Sequence, residues 1–574
     1  MKDKIFIVPE PKRIDLKNKW FPFDGFQNFP SFLLKEFNIP EGSWKIRKIE
    51  KDGTGIRIKE GEIEMWGEEN ICYATIIQIL KENNNLLPEV EIEEKFHFSF
   101  RGYHLDIARG GVPTLNTFKK ILRWLFLLKY NYFAIYFEDL FPWRKYPQIG
   151  KLRGRLEEEE LKEIIYYGRS LGIEVFPSLE LCGHMENILV LSDFSRFSEW
   201  HRPQEGCLDV SNKEAREFAY ELLDDVIKFF PSTYIHIGGD ETWALGRGRS
   251  LDKTGVFEGP QLFEMHHKNL INMVKESGKV PIVWGDMMTG MYLRKEEKEK
   301  WRAVLESDIW EETIVANWDY TNLSEEHFES KINLFGKRKE KEIACPGVSN
   351  WNRYYPNFEI ALGNIRNFLR PARKEKLPGF LLTSWGDDGA ECLYSFLDPL
   401  ILANMEIAEG SGNWEEKWLA LSGEKREVLE ARKMLGESIF SETIKHVFLG
   451  TQTYRYYLEI LKDKVKERKS TGNLWADYYS KMIENLANKE LLLYKYGEIL
   501  EKVSDINLPE DLELMRDMLR IGIKRLKGTL NFLDFIEFGN KYARLWLSER
   551  KRENLEVVIS KIFGTGGRAD LKIF

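Results

Sequence analysis

The run His236-Ile-Gly-Gly-Asp-Glu241 holds the residues best suited to chemistry in this chain. It follows Ser232-Thr-Tyr-Ile, which reads as the start of a buried strand. Two glycines allow a close backbone approach, and Asp240 and Glu241 then stand side by side where the strand should end. Adjacent carboxylates repel when both are ionised, so one of them is expected to keep a proton at a raised pKa. A proton held beside a carboxylate suits acid-catalysed cleavage of an acetal. The same Asp-Glu-Thr could instead cap a following helix.

Such a pair needs a scaffold, and the surrounding sequence has a regular beat. Apolar strand candidates recur at Tyr103–Ile107, Tyr132–Phe137, Ile173–Leu179, Thr233–Ile237, Pro281–Trp284, Thr313–Trp318, Ala344–Ser349 and Gly379–Ser384. Helical stretches such as Leu115–Leu128, Glu158–Arg169 and Lys213–Phe230 separate most of them. This α/β alternation predicts a (β/α)8 TIM barrel over residues 97–408. Active sites of that fold gather at the C-terminal ends of the strands. Those ends carry Glu138-Asp139, Glu180 with Gly183-His184 beyond it, Asp240-Glu241, and Trp284-Gly-Asp286. The later strands end in Trp318-Asp319-Tyr320, Asn350-Trp351-Asn352 and Trp385-Gly-Asp387-Asp388. Acids and tryptophans thus recur in one phase, which core packing alone would not produce.

Both flanks read differently. Residues 1–96 mix alternating strands, such as Trp44-Lys-Ile-Arg-Lys-Ile and Gly55-Ile-Arg-Ile, with a helix over Ile71–Glu82 that Asn83-Asn84-Asn85 should stop. They predict a small N-terminal α+β domain. From residue 409 to 574 helical periodicity takes over, with Tyr479, Met482, Ile483 and Leu486 on one face and Leu512, Met515, Leu519 and Leu526 on another. This C-terminal helical domain shows no catalytic constellation; docking onto the barrel and pairing into a homodimer are both open to it.

Composition narrows the function classes. The net charge of −8, from 84 basic and 92 acidic residues, argues against nucleic acid as partner. No stretch approaches the ~20 apolar residues that span a bilayer, and the N-terminal run is too short for a secretory signal. The cysteines Cys72, Cys182, Cys207, Cys345 and Cys392 are scattered, which fits a reducing, cytoplasmic setting. The 17 tryptophans suit platforms for sugar rings, although large proteins also bury aromatics in their cores.

These motifs resemble family 20 glycoside hydrolases, the β-N-acetylhexosaminidases. The resemblance covers the barrel and, more loosely, the N-terminal domain. His236-Ile-Gly-Gly-Asp240-Glu241 matches the family's catalytic signature. Leu105-Asp-Ile-Ala-Arg109 resembles its first-strand motif, and Glu180-Leu-Cys-Gly-His184 is similar to Asp-x-Pro-Gly-His, with Glu for Asp and Cys for Pro. Tyr73-Ala-Thr-Ile-Ile-Gln-Ile-Leu, Leu87-Pro and Phe100-Arg-Gly resemble the run-in to the barrel. Glu138-Asp139 and Arg153-Gly-Arg155 look closest to a compact bacterial branch with a C-terminal helical domain.

The resemblance implies an exo-acting, retaining enzyme that removes terminal GlcNAc or GalNAc from small oligosaccharides or glycosides. Glu241 would be the general acid, and Asp240 would orient the substrate's 2-acetamido group, whose carbonyl attacks the anomeric carbon to give an oxazolinium intermediate. Such tethering is worth about 7–11 kcal/mol in good intramolecular reactions. His184, with Glu138 or Asp139, would tune Glu241. Arg109 would grip sugar hydroxyls, and Trp284, Trp318 and Trp385 would wall the acetamido pocket; Trp351, on a strand 7 that departs from the family's pattern, is a further substrate-binding candidate. Asp387 would bind the O4/O6 side, one methylene short of the family's Glu. The family's acetamido-binding tyrosine has two candidates, Tyr320 and Tyr354. Asp286 and Asp319 read as structural caps.

No cofactor or metal is implied. His266-His267 reads as helix surface, and Arg247-Gly-Arg249 with Lys253 as a solvated loop. Other readings are a lacto-N-biosidase-like enzyme of the same mechanism and a catalytically silent sugar-binding protein. Intact Asp240, Glu241 and Arg109 argue against the silent form.

Overall fold

The computed structural model describes residues 4–563, apart from 84–85, 290–294, 336–339, 388 and most of 450–475. Asn84, Asn85 and Asp388 therefore lie outside the described residues.

Strands β1 (Arg13–Pro22), β2 (Lys45–Lys48), β3 (Thr54–Lys59), β4 (Glu62–Trp66) and β5 (Leu86–Glu94) form one sheet in the order β1-β5-β3-β4-β2. Ile56, Ile58, Ile63, Val90 and Ile92 are buried. Such alternation seals one face of a mainly antiparallel sheet. The helix Glu69–Asn83 closes that face with Ile76, Ile77 and Ile79.

The barrel follows. Strands β6 (Phe100–Asp106), β7 (Tyr132–Tyr136), β8 (Glu174–Ser178), β9 (Tyr234–His236), β10 (Val280–Trp284), β11 (Ile314–Trp318), β12 (Glu342–Cys345) and β13 (Gly379–Ser384) close into a ring, with β13 pairing β6. Every pairing in the ring is parallel. A parallel strand covered on both faces needs a continuous apolar run, as Tyr-Phe-Ala-Ile-Tyr in β7 provides. Helix starts are set by side-chain caps: Thr114 before Leu115–Leu127, Asn212 before Lys213–Phe229, and a capping box at Glu157 before Glu158–Ser170.

Strand β12 departs from expectation, running Glu342–Cys345 rather than Ala344–Ser349. Pro346 lacks an amide hydrogen and cannot extend the ladder, although its carbonyl still accepts from the Thr383 N–H at 2.8 Å.

The barrel interior is filled. Phe100 stacks on Tyr132 at 4.2 Å near the strands' N-terminal ends, with Phe176 and Tyr234 edge-on to them. Ala134, Ala316, Ile282 and Leu381 continue upward, and His104, His236 and Trp284 form the last layer below the mouth.

After the barrel helix Asp398–Glu409, helices from Trp414–Ser422 to Leu555–Phe563 form the helical region. The Arg353 guanidinium pairs with Glu442 at 2.7 Å, and Glu391 meets both Lys445 and Lys561. The docking reading of that region therefore holds within the chain.

The helix Gly259–Glu276 corrects another expectation. His266 and His267 are both buried, not on the surface. The helix packs against Lys213–Phe229 on one side and β10 on the other, so two adjacent positions face inward. His266 Nε2 donates to the Leu181 carbonyl at 2.8 Å, and His267 Nδ1 to the Phe263 carbonyl at 2.9 Å. Burial pushes these imidazoles down to about 4 and about 3, so both are neutral.

Candidate active site

Strand β9 ends at His236, and the chain then turns on Gly238 (φ +75°) and Gly239 (φ +100°). Both glycines are required by contact as well as by conformation. A Cβ at Gly238 would lie 2.4 Å from a Glu180 carboxylate oxygen, and one at Gly239 would lie 2.6 Å from His267 Nε2. The close approach foreseen at these glycines is thus to a neighbouring acid and a buried histidine. The next helix starts only at Arg249, so Asp240 and Glu241 do not serve as its cap.

Backbone strain collects around the pair. Glu138, His184 and Glu241 all adopt left-handed conformations, with φ of 43°, 48° and 50°. Non-glycine residues held there cost of order 1–3 kcal/mol each and persist only where surroundings over-determine them.

One nitrogen organises the acids. His184 Nε2 lies 3.4 Å from Asp240 Oδ2 and 3.4 Å from Glu241 Oε2. Burial opposes charge on His184, but the two carboxylates outweigh it and hold the imidazole protonated. For Asp240 burial is likewise outweighed, by the His184 charge, and its pKa falls. Two acids beside this group hold their protons. Burial, then repulsion from Asp240, raises Glu180 well above the carboxylate range, and the same two causes push Asp286 up to about 8. Asp286 Oδ2 accepts the Glu241 N–H at 3.0 Å, so this residue, read from sequence as a cap, holds the backbone of the acid itself. Asp319 does behave as an anchor, bonded to Thr321, His327 and Lys331.

A second group gathers on Arg109. Its guanidinium lies 3.0 Å from Asp106, 3.3 Å from Glu138 and 3.4 Å from Asp387, above the ring of Tyr136. Burial raises Glu138 to about 8 and Asp387 to about 6, with Arg109 opposing both. Of the two acids expected near His184, Glu138 is the neighbour: its donor atoms, those of His184 and those of Glu186 lie within 4.8 Å of one another. Asp139 instead pairs with Arg153 at 2.5 Å. Arg153 also reaches the Ala108 carbonyl, so this pair steadies the loop before Arg109.

The aromatic wall is part as expected. Trp318 stacks on Tyr320 at 4.9 Å, Tyr320 meets the half-buried Trp351 at 4.9 Å, and Trp385 Nε1 donates to the Tyr320 hydroxyl at 2.7 Å. Thr383 hydrogen-bonds the same hydroxyl. Trp284 is fully buried beneath the wall, against His236 at 4.2 Å and Trp385 at 5.9 Å. Tyr354 is not in the site. Its ring turns to Tyr542 and Phe448 of the helical region, at 5.9 and 6.2 Å, which leaves Tyr320 as the tyrosine of the pocket.

Glu180, Asp286 and His267 complete the site, although the sequence reading gave none of them a catalytic or binding role. Glu180 had a motif position as its signal; His267 had none, because its role depends on packing beneath Gly239.

Residues 98–332 match the family model "Glycosyl hydrolase family 20, catalytic domain". The chain is 24% identical over 298 residues to a beta-hexosaminidase of Porphyromonas gingivalis, covering 46% of this chain and 38% of that protein. It is 26% identical over 306 residues to human hexosaminidase D, covering 50% and 60%. The chain thus spans less than two thirds of the length of these relatives. Among solved structures, a Bacteroides fragilis β-N-acetylhexosaminidase aligns with a TM-score of 0.56 at 20% identity, covering 71% of this chain and 91% of that one. A Flavobacterium johnsoniae chitobiase aligns with a TM-score of 0.56 at 15% identity over 97% and 99%. A Vibrio harveyi exo β-N-acetylglucosaminidase in complex with N-acetylglucosamine gives 0.54 at 15% over 73% and 76%.

Proposed function

We propose that this chain, a glycoside hydrolase with a family 20 catalytic domain, is an exo-acting retaining β-N-acetylhexosaminidase that uses substrate-assisted catalysis. The observation that carries the reading is the placement of Asp240 and Glu241 on a single His184 nitrogen. A retaining enzyme with its own nucleophile needs two carboxyl groups on opposite sides of the sugar, ~5–5.5 Å apart. Adjacent residues bridged by one imidazole approach from the same side. The attacking oxygen then comes from the substrate's 2-acetamido group, with Asp240, kept anionic by His184, holding its N–H and the positive charge that develops.

Glu241 stands on the leaving-group side, donating a proton to the glycosidic oxygen and later taking one from water. Tyr320 offers its hydroxyl hydrogen to the acetamido oxygen, backed by Trp385 and Trp318. Arg109 and Asp387 hold the terminal sugar's hydroxyls. All five cysteines are buried and free, which supports action on small oligosaccharides in a reducing compartment.

Hydrolysis of 4-nitrophenyl β-N-acetylglucosaminide beside the plain β-glucoside, with and without GlcNAc-thiazoline, tests the proposal. Cleavage of the acetamido sugar alone, blocked by the thiazoline, is the expected result. Cleavage of both sugars, or no cleavage of the gluco- and galacto-acetamido glycosides and of a disaccharide glycoside, overturns it.

A further inference from the structure

The segment Glu549–Asn554 joins the helices Phe532–Glu549 and Leu555–Phe563. It runs beside the loop that follows β6. The Thr114 N–H donates to the Glu549 carbonyl at 3.0 Å, and the Lys551 N–H to the Val112 carbonyl at 2.9 Å. The same segment holds the loop that follows β13. The Glu549 carboxylate accepts the Tyr394 and Ser395 N–H groups at 2.7 and 2.9 Å, and Arg550 donates to the Cys392 carbonyl.

Asn554 closes this arrangement. Its side-chain amide Nδ2 donates to the Gly389 carbonyl at 3.0 Å and to the Arg109 carbonyl at 3.4 Å. The fit is tight, because a Cβ on Gly110 would lie 2.6 Å from the Asn554 side chain. Asn554 itself sits at φ +74°, a left-handed conformation that asparagine tolerates better than most residues. One amide therefore ties the backbone of Arg109 to the loop that carries Asp387. The side chains of those residues face each other across the sugar-gripping side at 3.4 Å.

The β13 loop needs such a tie. Gly389 takes φ of 120°, open to glycine without cost, and Ala390 follows at 57°, where a side chain strains the path. Its lower end is fixed by buried Glu391, whose carboxylate meets Lys445 at 3.0 Å and Lys561 at 2.9 Å. At its upper end, around Asp387, the Asn554 amide is the tie from the helical region among the hydrogen bonds of the described residues.

We propose that Asn554 is a positioning residue for terminal-sugar recognition: through it, the C-terminal helical region sets the spacing of Arg109 and Asp387. This rests on the proposed glycosidase reading, in which those two residues grip the sugar's hydroxyls. It gives the helical region a role in specificity that a passive buttress would lack.

The experiment compares wild type, Asn554→Gly and Asn554→Asp with a Thr443→Val control. Glycine keeps the left-handed backbone and removes the amide; aspartate keeps the shape and removes the donor. Thr443 bonds Tyr496 inside the helical region, so its variant reports loosening alone. On 4-nitrophenyl β-N-acetylglucosaminide both Asn554 variants are expected to raise KM about tenfold, the size of a lost hydrogen bond to a charged group, with little change in kcat. On the 4-deoxy glycoside, which lacks a gripped hydroxyl, their KM should match wild type. Thr443→Val should lower Tm and leave both KM values unchanged.

Unchanged KM in the Asn554 variants overturns the inference, as does an equal rise on both substrates. If wild type cleaves neither glycoside, the functional reading fails separately. A crystal structure of Asn554→Gly then decides the positioning claim: an Arg109–Asp387 separation equal to that of wild type overturns it, and a wider one supports it.

Discussion

The two halves of the barrel mouth hold buried negative charge in opposite ways. On the β8–β10 side, the cation beside Asp240 and Glu241 is the titratable His184, while burial and repulsion from Asp240 keep the protons on Glu180 and Asp286. On the β6–β13 side, Asp106, Glu138 and Asp387 face Arg109, whose charge is permanent. In the proposed mechanism the first half moves protons, and its charge state changes during the reaction. The second keeps a cation that does not titrate, and only its acids Glu138 and Asp387, at about 8 and about 6, change charge near neutrality. Imidazole and guanidinium differ by about six pKa units, and in the proposed function that difference separates the half that moves protons from the half that binds sugar.

The largest expected effect breaks the proton-moving half. Asp240→Asn removes the anion and should lower kcat on every acetamido substrate by about 10²–10³-fold, the range for a lost preorganised electrostatic contact. Glu241→Gln should cost about 10²–10⁴-fold on substrates with poor leaving groups, and much less on activated aryl glycosides that need little protonation. Steady-state kinetics on both substrate types separate the roles; equal losses from Glu241→Gln would remove its assignment as acid.

A smaller effect is expected from the Arg109 half. Arg109→Lys keeps the charge but cannot span Asp106, Glu138 and Asp387 with one planar fork. KM should rise about 10–100-fold, the loss of one or two charge-assisted hydrogen bonds, with kcat falling less. A fall in kcat with unchanged KM would move Arg109 into the proton-moving half and blur the comparison.

The last test sharpens the contrast through pH and reads stability, not catalysis. Asp286 titrates at about 8 when folded, against about 3.9 in an unfolded chain. Between those values the folded state holds a proton that the unfolded state has released, so this group's contribution to stability falls as pH rises from about 4 to about 8. Asp286→Asn lacks that decline. Melting curves at fixed ionic strength should show the variant gaining on wild type across this window; parallel curves would mean that Asp286 is already ionised.

Much of this was legible early. The eight strands could be read because parallel barrel strands must be apolar on both faces, and their acidic and aromatic ends followed from the same phase. The strand end at Pro346 was misread because apolar residues continue past it, although the missing amide hydrogen was in view. The acids chosen for a shared proton shifted from the Asp240 and Glu241 pair toward Glu180 and Asp286, because burial and distance set proton affinity and neither is written in chain order. Tyr320 and Tyr354 were equal candidates by type. Only the docking of Tyr542 and Phe448 on one of them separates the two.

The sequence by itself determined the barrel, the residues at its mouth and the identity of the acid pair, because local periodicity and residue chemistry act over a few positions. Tertiary structure alone decided which acids stay neutral, why Gly239 must lie over His267, and that Asn554, some 445 residues from Arg109 in the chain, bonds its backbone. Those outcomes depend on desolvation and on contacts between distant segments, which exist only once the chain has closed on itself.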